Sequence, residues 1–112
     1  MILPSRGNWA CAIPHTDRAH LILIYPDLID LLKSNNFRQG LAILAHEVGH
    51  IFLGHSDRKI DPEDAQFEAD YFSNLLGFGV ELILFLSVRP ECDKRYKRLL
   101  ELRGEEMPPS TL

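Results

Sequence analysis

Leu44-Ala45-His46-Glu47-Val48-Gly49-His50-Ile51-Phe52 sets two histidines four residues apart, with a glutamate directly after the first. Four residues make just over one helical turn, so on a helix His46 and His50 lie on one face, one above the other. Two imidazoles so placed can supply half of a tetrahedral Zn2+ site. Glu47, about 100° around the helix, falls beside the open position where a base is useful. A pattern of five residues also arises by chance, as two histidines on an ordinary polar helix face, so the flanking sequence has to decide.

The flanks signal a helix from Phe37 to about Leu53. Asn36 offers an N-cap, Gln39 stands three residues on in the manner of a capping box, and Gly54 closes the helix. Phe37, Leu41, Leu44, Val48, Ile51 and Phe52 form an apolar stripe, which predicts that His46, Glu47 and His50 lie largely off the core and face a cleft. Gly49 costs about 1 kcal/mol of helix stability relative to Ala, and its place inside the helix predicts the close approach of another backbone.

Upstream, the stretches from Asn8 to Ile13 and from His20 to Tyr25 read as two strands of a hairpin, joined by the turn-like cluster Pro14 to Arg18. Pro26 suits the first position of a helix reaching about Lys33, with Leu28, Leu31 and Leu32 as its apolar side. Downstream, Asp61-Pro62-Glu63-Asp64 is a helix start, with an Asp cap, Pro at the first position and acids where the helix dipole favours them. That helix should reach about Leu76, anchored by Phe67, Phe72, Leu75 and Leu76, until Gly77 and Gly79 break it. Val80 to Val88 reads as helical, with strand as the alternative. After Arg89-Pro90 a last amphipathic helix carries Cys92, Tyr96, Leu99 and Leu100 as far as Arg103, and Gly104 ends it. Residues 1–104 form one domain on this reading and 105–112 a flexible tail.

The 112-residue length bounds the chain to a single core. A hydrophobic share of 46% with 25% charged residues is that of a folded protein. Net charge of −4 argues against nucleic acid as a partner, because the basic residues between Arg89 and Arg103 are nearly balanced by acids. Cys11 and Cys92 lack the spacing of a metal or redox pair and read as buried, reduced thiols. The N-terminus shows no signal-peptide pattern, and the apolar run from Leu82 to Val88 is short for a membrane span. The expected location is therefore cytoplasmic.

His46-Glu47-Val48-Gly49-His50, followed by Phe67-Glu68-Ala69-Asp70-Tyr71-Phe72 on a second helix, resembles the gluzincin zinc metallopeptidases, in particular their small, phage-associated ImmA/IrrE-type branch. The resemblance implies an α+β fold: a mostly helical minimal zincin-like domain, with a small N-terminal β-hairpin packed on the HExxH helix and a second helix completing the metal site. It implies hydrolysis of a peptide or protein substrate, with a repressor-type protein as one candidate. His46 and His50 would be zinc ligands, Glu47 the general base and Asp70 a supporting acid for His46. The third ligand is a glutamate in the resembled family, and here that position holds Gln66. Gln66, Glu63 and His55 therefore all stand as candidates, and Tyr25, Tyr71, His55 and His15 as oxyanion donors. Because the anionic ligand is missing, a catalytically weak, metal-binding regulatory or interaction module is the alternative function.

Overall fold

The computed structural model describes residues 10–13, 21–55 and 58–106. Two four-residue segments, β1 (Ala10–Ile13) and β2 (Leu21–Ile24), pair antiparallel with Ala10 opposite Ile24. Five helices follow: α1 (Pro26–Leu32), α2 (Phe37–Phe52), α3 (Pro62–Ser73), α4 (Gly79–Ser87) and α5 (Asp93–Glu106). The α+β expectation is thereby corrected. Among the described residues the body is helical, and the extended pairing is one ribbon too small to form a sheet layer or to stand alone. The buried cluster consists entirely of helical residues, Leu28 of α1, Ala42 and Ile43 of α2, Leu82, Phe85 and Leu86 of α4, and Leu99 of α5. The proposed turn from Pro14 to Arg18, with Asn8, Trp9, His15 and His20, lies outside the described residues, as does the tail beyond Glu106.

Helix boundaries follow local chemistry closely. Pro26 opens α1 with its fixed φ, and Asp61 caps α3 by accepting a hydrogen bond from the Glu63 backbone N–H at 2.8 Å. Gly77, at φ 98°, breaks the chain between α3 and α4 within a wide turn over Asn74–Phe78. Asn36 does stand at the N-cap of α2, but its side chain makes no cap hydrogen bond, so the expected capping box is not formed. Gly104 does not stop α5, which continues to Glu106. Taken as one run, Pro62–Ser87 is long and apolar enough to cross a membrane by length and composition, although 44% of its most apolar window is buried in the helical body.

The buried face of α2 is not the stripe of large residues. Phe37, Val48 and Phe52 are exposed, whereas Gly40, Ala42, Ile43, Ala45, His46, Glu47 and Gly49 are buried. On α3 the same holds: Leu75 and Leu76 beyond its end are exposed, and Ala65, Ala69 and Ser73 face inward. Small residues on both helices let the two axes come close, which a row of large ones would prevent. Ser73 Oγ donates to the Ala42 carbonyl at 2.9 Å, and a Cβ at Gly49 would sit 3.0 Å from Phe72 Cβ. The close approach predicted from Gly49 is thus made to a side chain of α3. It brings the polar groups of α2 and α3 within reach of one another.

Candidate metal centre

His46 and His50 point their Nε2 atoms at each other across 3.0 Å. One donor atom from each of His46, Glu47 and His50 falls within a 4.8 Å cluster, the metal-capable group found among the described residues. His46 and Glu47 are buried and His50 is half-buried, so sequence reasoning was right about their proximity and wrong about their setting off the core. The His50 ring is pushed down to about 4, first by burial, then by the neighbouring His46 and His55 rings, against a smaller opposing contribution from Gln66. A ring kept neutral near pH 7 offers a lone pair, which is the form a metal needs.

Gln66 lies beside His50, and its Oε1 is buried without a hydrogen-bond partner. An orphaned buried acceptor costs about 1–3 kcal/mol unless something fills it, and a cation held by the two imidazoles would. The donor set present therefore fits a borderline metal such as zinc: two neutral nitrogens and one amide oxygen, with a carboxylate at the side. Glu63 lines a cleft with Gln66 but is exposed and 3.5 Å from Lys94 Nζ, outside the cluster of donor atoms. His55 is next to His50, but at the opposite ring nitrogen, with Nδ1 to Nδ1 at 2.8 Å. It stands behind the ring relative to His46.

Asp70 takes the supporting position that the motif implied. Its Oδ1 accepts from His46 Nδ1 at 2.8 Å, which directs the His46 Nε2 lone pair toward His50. Burial alone would raise the Asp70 carboxyl; hydrogen bonds from Arg95 and His46 outweigh it and hold the group below its ordinary value of 3.8. Arg95 supplies a fork, Nε to Oδ2 at 2.9 Å and Nη2 to Oδ1 at 2.7 Å. Sequence reasoning missed Arg95, counting it only among the basic residues between Arg89 and Arg103 that acids nearly balance. The only signal was indirect: a buried acid on α3 needs a cation, and local spacing does not say which of six nearby basic residues comes. An open cleft of about 440 Å³ between α3 and the start of α5 is lined by Glu63, Gln66 and Arg95 among others. Cys92, at the edge of α5, is half-buried, and burial pushes its thiol up. Tyr25 is buried at the start of α1, and Tyr71 lines an apolar groove with Leu53, Phe67 and Phe72.

A family model, that of peptidase family M48, matches residues 10–89. No curated protein and no solved structure matches the chain. Arg95, although it clamps Asp70, lies beyond the matched residues.

Proposed function

Because the chain belongs to peptidase family M48, a zincin-like metallopeptidase family, we propose that it hydrolyses peptide bonds with zinc held by His46, His50 and Gln66, and with Glu47 as general base. The observation that carries this reading is the convergence of two imidazole Nε2 atoms 3.0 Å apart beside the Glu47 carboxylate. A zinc ion bound there would supply Lewis acidity toward the scissile carbonyl and its attacking water. Glu47 does the proton work. Its carboxylate takes a proton from water as the water oxygen bonds to the carbonyl carbon, then passes that proton to the nitrogen as the C–N bond breaks. Burial of Glu47 on a rigid helix holds this carboxylate at one place relative to the two rings.

The paired motifs on α2 and α3 support the narrower ImmA/IrrE-type likeness and, with it, a repressor-type protein as substrate. Gln66 favours a second reading, a metal-binding regulatory module of low turnover, because a neutral amide oxygen holds a metal more weakly than the carboxylate of the resembled family and leaves the site less fully loaded. Turnover on a protein panel, with zinc content measured alongside, separates the two. Glu47→Gln should keep its zinc and lose activity by about 10²-fold or more. Equal turnover in both proteins would show that the activity arises elsewhere; zinc-loaded wild type with no turnover would leave the regulatory reading standing.

A further inference from the structure

We infer that His55, anchored by Glu68, is a positioning residue for His50, fixing the second metal-binding imidazole as Asp70 fixes the first. The inference rests on the metal-site reading above and concerns a residue outside the His46, Glu47 and His50 cluster.

The backbone sets this up. Gly54, in the left-handed region at φ 66°, ends α2 with Gly54 N–H donating to the Ile51 carbonyl at 3.1 Å and His55 N–H to the His50 carbonyl at 3.1 Å. These two bonds form a Schellman closure, which turns the chain back over the last helical turn. His55 therefore returns to the residue five before it. Although it lies in a turn, its side chain is only 6% exposed, so both ring nitrogens need partners.

Both find them. His55 Nδ1 is 2.8 Å from His50 Nδ1, and His55 Nε2 is 3.0 Å from Glu68 Oε1. Arg58 closes the chain, with Nη1 and Nη2 at 2.9 and 3.3 Å from the two Glu68 oxygens. Proton positions follow from donor and acceptor capacity. An ionised carboxylate only accepts, so His55 carries its proton on Nε2 and offers a lone pair at Nδ1. His50 must then donate from Nδ1, which leaves its Nε2 lone pair directed toward His46 Nε2. The tautomer required for metal binding is imposed from behind the ring, and the ring's rotation about its Cβ–Cγ bond is fixed with it. Glu68 faces away from Gln66 around α3, so it acts through His55 and not as a ligand.

Chelator-competition titration of zinc by wild type, His55→Ala, His55→Asn, Glu68→Gln and His46→Ala tests this. Nitrogen-detected NMR of the zinc-loaded wild type runs beside it. His55→Ala should weaken zinc binding about 10-fold or more. His55→Asn keeps an acceptor near the Nδ1 position and should recover most of that loss. The wild type should show an N–H···N scalar coupling between His50 Nδ1 and His55 Nδ1, which requires the His50 proton on Nδ1 and His55 as its acceptor. Zinc binding by His55→Ala as tight as wild type, with His46→Ala deficient, overturns the inference and leaves the metal site intact. A zinc-loaded wild type with the His50 proton on Nδ1 but no coupling to His55 overturns it as well, whatever the folding of the variants. Wild type that takes up no more zinc than His46→Ala overturns the metal site, and this inference with it.

Discussion

Replacing Arg95 by Met keeps most of the side-chain volume and removes the fork on Asp70, whose own side chain is 3% exposed. The perturbation strands a buried carboxylate with His46 as its remaining partner among these contacts. Breaking one half of a buried ion pair costs about 3–5 kcal/mol, and because the Arg95 side chain is 25% exposed the lower end applies, about 3 kcal/mol. In a domain of this size that is a fall of about 12 °C in Tm. Urea denaturation of the metal-free protein, in wild type, Arg95→Met, Asp70→Asn and the double variant, should show a coupling of about 2 kcal/mol between the two sites. The pH dependence supplies an independent sign. In wild type the Asp70 carboxyl lies below 3.8, so its contribution is fully present above pH 3.8 and is lost as pH falls through the folded value. In Arg95→Met, burial is left to dominate and raises the folded value above 3.8, so protonation favours folding. The gap between wild type and variant should therefore narrow as the solution is acidified. A loss below about 0.5 kcal/mol, or a gap that widens in acid, would refute the reasoning, since it would mean that Asp70 is solvated or otherwise paired.

Gln66→Glu should raise zinc affinity about 10-fold or more, because an anion replaces a buried amide oxygen that has no hydrogen-bond partner. Competition with a chelating dye measures it, and unchanged affinity alongside a collapse in Glu63→Gln would move the third ligand to Glu63. Gly49→Ala gains about 1 kcal/mol of helix propensity but sets a methyl 3.0 Å from Phe72 Cβ and Cδ1, at an overpacking cost of about 1–3 kcal/mol. A net loss of up to about 2 kcal/mol in urea, with weaker zinc binding as α2 and α3 separate, is the outcome; a stabilised variant would show that the contact yields freely.

The sequence by itself determined what lies within a few residues of its cause. Asp61 and Pro62 start α3, Gly54 ends α2 and Gly77 breaks the run before α4, each through the backbone geometry of one or two residues. The four-residue spacing likewise put His46 and His50 on one face without help from the rest of the chain. Tertiary structure decided which face of α2 is buried. Periodicity chose the large residues, including Val48 and Phe52, but close packing against α3 selects small ones, and that depends on what the facing helix presents. It also decided that His46 and Asp70 could be buried at all, since buried polar groups need partners. Asp70 arrives from 24 residues beyond His46, and Arg95 from 25 beyond Asp70. The side of the His50 ring that His55 occupies was open for the same reason. A turn and a single carboxylate on α3 settle it, and neither is encoded in the spacing of the two histidines.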